Sequence, residues 1–153
     1  MKLSSFADVC LRVLMYTGAQ DKAAGEVRLT TTQDLAEAIQ VPYNHVAKAV
    51  LQLRKMGALE VSRGRSGGSR ITAEGMQASV GAILRQLDTR EDLVDCQTPN
   101  HSCPLASGCR LRKALREARE AFYASLDPLT VEDLVEGSRT TFLPMPTIPV
   151  RVE

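Results

Sequence analysis

At 153 residues, 44% hydrophobic and 24% charged, the chain has the size and composition of a single globular domain with room for one added element. Tryptophan is absent and aromatic residues are 4%, so the core must be built from Leu, Val, Ile, Ala and Met; the net charge of +1 rules out no partner. No segment approaches the roughly 20 apolar residues of a membrane span, and the first residues lack the apolar run of a secretory signal. A cytoplasmic protein is expected, in which clustered cysteines bind metal or do redox chemistry more often than they form disulfides.

Residues 3–19 read as the first helix. Leu3, Phe6, Ala7, Cys10, Val13, Leu14 and Thr17 recur at steps of three and four and form one apolar stripe. Cys10 lies on that stripe and reads as a small buried hydrophobe. Asp8 lies off it, one turn before Arg12, and reads as half of a solvated ion pair. Residues 20–29 read as a polar connection.

Thr30, Thr31 and Thr32 offer an N-cap for a short helix at residues 32–39, with Leu35, Ala36 and Ile39 inward. Gln40 and Val41 make a turn. Pro42 starts the next helix, which is expected to run to about Met56 and stop at Gly57. Val46, Val50 and Leu53 face inward, and His45, Lys48, Gln52 and Lys55 face out. Two helices joined by a tight turn, the second with a basic outer face, describe a helix-turn-helix. Leu59 to Ser62 alternates like a strand, residues 63–70 form a basic Gly-rich loop, and Ile71 resumes the strand, which makes a β-hairpin wing. Between Asn44 and Thr72 the cations Lys48, Arg54, Lys55, Arg63, Arg65 and Arg70 face one anion, Glu60. Such a local excess, in a nearly neutral chain, is the footprint of phosphate contact. The helix from Pro42 is expected to enter the major groove by its N-terminal end, presenting Tyr43, Asn44, His45 and Lys48, and Arg63 and Arg65 are expected to reach the backbone or the adjacent minor groove.

Beyond the wing, residues 72–77 and 80–87 read as short helices, the second capped by Ser79. Residues 96–109 follow the pattern C-x6-C-x5-C, with Pro99, Pro104 and Gly108 breaking regular structure between Cys96, Cys103 and Cys109. Three clustered thiols are soft ligands suited to zinc or to an iron–sulfur cluster. The last stands at a helix start beside Arg110, Arg112 and Lys113, where negative charge is stabilised. His101, inside the loop, is the competing ligand for a zinc site. A helix is expected over residues 110–126, with Leu111, Leu115, Ala118, Phe122 and Leu126 as its seam. Its seam can dock on its own domain or on a second copy, and the two-fold dimer is the expected arrangement. A short helical turn at residues 130–136 and a proline-rich tail complete the chain.

The expected division is therefore 1–88 winged helix, 89–109 cysteine loop, 110–136 dimerisation helix and short helix, and 137–153 extended tail, in a mainly α fold. No nucleophile–base pair or phosphate-binding loop occurs, so an enzyme is not expected.

A winged helix, a three-cysteine loop and a following basic helix, in this order over residues 1 to about 136, resemble the NsrR/IscR superfamily of iron–sulfur transcription regulators. The iron–sulfur-biogenesis branch uses a histidine three residues after the last cysteine, where this chain has Arg112. The nitric-oxide-sensing NsrR repressors look closer. Some of them use an aspartate of the first helix as a ligand, which matches Asp8, and the Asp127–Val131 stretch is also similar. The resemblance implies a repressor with a 4Fe–4S cluster on Cys96, Cys103, Cys109 and Asp8, released from DNA by nitric oxide. Asp8, turned away from its own core, is expected to reach the cysteine loop of a second subunit. A homodimer on an inverted-repeat operator is implied. The alternative is a winged-helix regulator with structural zinc, or with a 2Fe–2S or other cluster that senses iron or redox status.

Overall fold

The computed structural model describes residues 3–24, 29–64, 66–89, 97–98, 101–105 and 108–137. Its first helix, α1 (Ser5–Ala24), starts where the Ser4 hydroxyl accepts the N–H of Ala7 at 3.1 Å. It buries Ala7, Val9, Cys10, Val13, Leu14 and Thr17. Thr17 is satisfied inside this apolar face because its hydroxyl donates to the Val13 carbonyl at 2.9 Å. Two expectations shift here. Phe6 is not on the buried face but 36% exposed. The helix also continues past residue 19, where Lys22 finds carboxylate partners in Glu132 (2.9 Å) and Glu136 (2.5 Å) of a later helix.

Helix α2 (Thr32–Ile39) is capped by Thr31, whose hydroxyl accepts the N–H of Asp34. It ends at Gln40, which takes a left-handed conformation, φ 54°, so that the Val41 N–H reaches the Ala36 carbonyl at 3.0 Å. Helix α3 (Tyr43–Lys55) buries Val46, Ala49, Val50 and Leu53 against α1 and α2. Pro42 stands one position before its expected place, as the N-cap residue, with no side-chain hydrogen bond to the helix. Gly57, φ 76°, turns the chain out of α3, and the Ala58 N–H closes the end on the Leu53 carbonyl at 2.9 Å.

Strands β1 (Leu59–Ser62) and β2 (Gly68–Ile71) pair antiparallel, Leu59 opposite Ile71 and Ser62 opposite Gly68. Leu59 and Ile71 point into the core and Glu60 points out, the alternation of a half-buried hairpin. Thr30 adds a third, single-residue rung. Its N–H donates to the Ser69 carbonyl at 2.9 Å and its carbonyl accepts the Ser69 N–H at 2.8 Å. The wing is thereby tied to the residue that leads into α2.

Helix α4 (Ala73–Met76) and helix α5 (Val80–Leu87) are capped by Thr72 and Ser79. Within the cysteine loop, expected to be irregular, β3 (Gln97–Thr98) and β4 (His101–Ser102) form a minute hairpin, Gln97 opposite Ser102. Helix α6 (Arg110–Leu126) follows, then α7 (Val131–Gly137). Val131 is completely buried, and the N–H groups of Val80 and Val131 donate to the carbonyls of Leu129 (2.8 Å) and Ala78 (3.2 Å) respectively. The chain leaving α6 is thus fastened to the junction before α5, and α7 packs on α1. The tail from residue 138, and the expectation that it is extended, lie outside the described residues.

Candidate nucleic-acid interface and candidate metal centre

Helices α2 and α3 and the β1–β2 wing present one outer face. On it, Tyr43, Asn44, His45 and Lys48 are all exposed, Tyr43 by 50%. With no side chain capping α3, the N–H groups of Tyr43 and Asn44 at its start precede the first intrahelical bonds, which run from His45 (2.9 Å) and Val46 (3.3 Å) to the Pro42 carbonyl. A helix start of this kind favours an anionic partner. Arg63 is exposed at the wing tip; Arg65 lies outside the described residues. Arg70, counted among the phosphate-seeking cations, is spent elsewhere: its guanidinium holds Glu60 at 2.8 Å.

The thiols lie between α5 and α6 in the chain. Cys109 is the N-cap of α6, and its Sγ accepts the N–H of Arg112 at 3.4 Å. Cys103 follows Ser102 directly, and Ser102 pairs with Gln97, the residue next to Cys96 in sequence. Cys103 and Cys109 are half-buried and free of disulfide bonding. Cys96 lies outside the described residues, and the side chain of His101 is likewise not described. Among the described residues no three His, Cys, Asp or Glu side chains converge on one point. Cys10 is fully buried inside α1, and burial pushes its thiol up to about 12, which keeps it a neutral core residue.

Asp8 is half-exposed on the outer side of α1. Its carboxylate takes the Arg12 guanidinium in two contacts, 2.9 and 3.1 Å. The solvated pair expected from the spacing is therefore formed. Within one chain no cysteine is among the partners that the described residues give Asp8.

One feature of the site escaped the sequence. Arg85 of α5 reaches two acids of the α6 segment, Glu120 at 2.6 Å and Asp127 at 2.6 Å, and stacks over the Tyr123 ring at 5.7 Å. The Tyr123 hydroxyl in turn donates to Asp88, just past α5. Hydrogen bonds from Arg85 hold both Asp127 and Glu120 below the usual carboxylate range. Tyr123 is the buried residue of α6, whereas Leu111, placed on the seam by spacing, is 61% exposed. So the second half of α6 docks on α5 through Tyr123, while Leu111 on its first half is left exposed. The Asp127–Val131 stretch, noted in the sequence without a mechanism, carries this clamp and the buried Val131.

Residues 3–137 match the Rrf2 family, described as an iron-dependent transcriptional regulator. The chain is 47% identical over 135 residues to the HTH-type transcriptional repressor NsrR of Streptomyces coelicolor, covering 88% of each. It is 38% identical over 137 residues to the HTH-type transcriptional regulator NsrR of Geobacillus kaustophilus, covering 89% of this chain and 90% of that one. Its fold superposes on CymR, the global cysteine regulator of B. subtilis, with TM-score 0.64 at 22% identity, over 90% of this chain and 98% of that chain. IscR of T. potens superposes with the same TM-score at 17% identity, over 90% and 88%. The curated relatives are regulators of transcription, a non-enzymatic class. Among the described residues no helix is long and apolar enough to cross a membrane. The chain is a winged-helix, DNA-binding transcriptional repressor that belongs to the Rrf2 family of iron-dependent transcriptional regulators.

Proposed function

We propose that this repressor senses nitric oxide through a 4Fe–4S cluster held by Cys96, Cys103 and Cys109, with Asp8 of the partner subunit as fourth ligand, in a homodimer on an inverted-repeat operator. The observation that carries the reading is Cys109. Its sulfur stands at the start of α6 and accepts a main-chain N–H, while the far end of the same helix is clamped to α5 by Arg85 and Tyr123. A thiol in that position is both a cluster ligand and an end of the element that touches the DNA-binding domain. The donor set suits such a group: clustered thiols are the ordinary ligands of iron–sulfur clusters. The cluster, when bound, supplies iron to which nitric oxide binds directly.

The chain's own residues do the rest. Cys103 and Cys109 fix the loop and the N-terminus of α6 while they are ligands, and are released together when they are not. Asp8 must leave Arg12 to act as a ligand, and an exposed pair of this kind holds it by only about 0.5 kcal/mol. The exposed Leu111 on the first half of α6 supports a second copy as its cover. Binding to DNA changes only as far as the ligated and free loops differ in their preference for the DNA-competent arrangement.

Anaerobic purification followed by operator binding tests this. A brown protein with about four iron atoms per chain, released from an inverted-repeat duplex by nitric oxide, is expected. A colourless protein loaded with zinc overturns the cluster, and a brown one that holds its operator after treatment overturns the sensing role.

A further inference from the structure

Four residues share one line along the outside of α3. At about 100° per residue, Leu51 and Lys55 each lie within about 20° of Asn44, and Lys48 lies about 40° away. The buried residues Val46, Ala49, Val50 and Leu53 occupy the opposite arc. Leu51 therefore stands at the centre of the solvent face of the helix-turn-helix, 50% exposed, with Lys48 and Lys55 one turn to either side. It belongs neither to the core cluster nor to the half-buried residues packed against it. A single exposed leucine is ordinary on a protein surface. At the middle of the basic helix face that the groove-helix reading sets against DNA, it has an apolar group to answer.

We propose that Leu51 is a specificity residue that meets the C5 methyl of a thymine on the floor of the major groove. That methyl is the one apolar group a base pair displays there. The inference rests on the reading of α3 as the groove helix and extends it. Leu51 lies about 10 Å along the axis from Asn44, or about two base-pair steps, since each step rises ~3.4 Å along the duplex and covers more along the inclined groove. The thymine is thus about two base pairs from the base that Asn44 faces, and α3 lies along the groove rather than entering by its tip alone. Lys48 and Lys55 hold the flanking phosphates, which fix the register in which Leu51 reads.

The test uses duplexes selected from a random pool by the wild-type dimer, with each thymine replaced in turn by deoxyuridine, which lacks only the methyl. At one thymine in each half-site the wild-type protein is expected to lose about fourfold in affinity, the worth of one buried methyl. Leu51→Ala protein should bind the parent duplex more weakly and be indifferent to the change at that thymine alone. Alanine is a strong helix former and the site is exposed, so the fold is retained; thermal unfolding checks it. Equal affinity of Leu51→Ala and wild type for the parent duplex overturns the inference. So do equal losses of both proteins at every thymine, or selected half-sites without thymine. Lys48→Ala separates the two levels. If it weakens binding while Leu51→Ala does not, α3 remains the groove helix and only the leucine contact falls. If neither variant changes affinity, the groove-helix reading falls with it.

Discussion

Glu60 and Arg70 face each other directly across the wing, Arg70 Nη2 lying 2.8 Å from Glu60 Oε2. The single anion of the basic segment thus neutralises one of its six cations, and the phosphate-directed charge is concentrated on Lys48, Arg63 and their neighbours. Salt dependence of operator binding measures the consequence. Lys48→Ala and Arg63→Ala should each lower the slope of log K against log salt by about one per subunit of the dimer. Arg70→Ala should leave it unchanged. A full unit lost with Arg70 means that DNA pulls this pair apart.

The wing's attachment to the helix-turn-helix rests on Gly68. A Cβ at this position would lie 2.8 Å from the Thr30 carbonyl oxygen and 3.0 Å from the Thr30 nitrogen, both main-chain atoms that cannot swing aside. Gly68→Ala should therefore cost about 1–3 kcal/mol, as overpacking does, read as a lowered midpoint of thermal or denaturant unfolding. It should also weaken DNA binding in the folded fraction, because Thr30 leads into α2 and displacing β2 turns the wing against the helices. A variant as stable as wild type shows that the Thr30 rung yields without loss.

The clamp between α5 and α6 gives the protein an acid limit. Asp127 and Glu120 have their protons driven off by hydrogen bonds from Arg85, and so titrate below their ordinary values of 3.8 and 4.5. A carboxylate depressed in the folded state contributes stability that is fully present above its unfolded value and is lost as pH falls through its folded one. The docking of α6 should therefore weaken as pH drops below about 4.5. Arg85→Ala should flatten that part of the stability–pH profile while lowering stability at neutral pH. Unfolding midpoints of both proteins between pH 3 and 7 check this. Parallel profiles would show that solvent screens the clamp completely.

Much of this fold is legible in local signals. Thr31, Ser79 and Gly57 mark helix ends, the alternation of Leu59 to Ser62 marks the wing, and the apolar stripe of α1 finds Cys10 in the core. What was not legible depends on contacts distant in sequence. Tyr123 and Phe122 are adjacent, and periodicity alone selects Phe122 for the seam; only the position of α5, with Arg85 and Asp88, selects Tyr123. Arg70 looks like a free cation until the register puts Glu60 opposite. α1 outruns its expected end because Glu132 and Glu136, more than a hundred residues on, take Lys22. Pairing of β3 and β4 was hidden because two-residue strands carry no periodicity. The proposed thiol ligands were legible as residue types at a spacing, while Cys96 lies outside the described residues.

Cysteine substitution separates ligand from core. Cys96→Ser, Cys103→Ser and Cys109→Ser should each abolish the visible absorption of the anaerobic protein. Cys10→Ala should keep it, since a fully buried, neutral thiol inside α1 has no route to iron. Its effect should appear as lost stability from a small cavity instead. Cys109→Ser is expected to retain the α6 start, because serine is itself a good N-cap, so loss of colour there reports the ligand and not the helix. Full iron in the Cys103→Ser protein would remove that residue from the set.

Under the proposed ligand set, the place of Asp8 decides how two subunits would be joined. Its carboxylate is turned from the core and occupied by Arg12, and an oxygen ligand is a harder and weaker partner for iron than a thiolate. Asp8→Ala should therefore leave a cluster on three thiolates that decays faster in air. Arg12→Ala, which frees the carboxylate, should hold its cluster at least as long as wild type. Mixed dimers distinguish the geometries. In one, a subunit carries Asp8→Ala and its partner carries serine at all three loop cysteines. The surviving thiols then belong to the Asp8→Ala subunit and the surviving carboxylate to the other. Ligation across the interface predicts a cluster as long-lived as wild type there, and ligation within a chain predicts a labile one. In the second dimer both lesions are in one subunit, and the expectations reverse. The intact chain then keeps its thiols and its own carboxylate, and across-interface ligation leaves those thiols without an oxygen partner. A labile cluster in the first dimer and a stable one in the second would place Asp8 beside its own chain's cysteines, and cluster loss could then change DNA binding only through α6 and its clamp on α5.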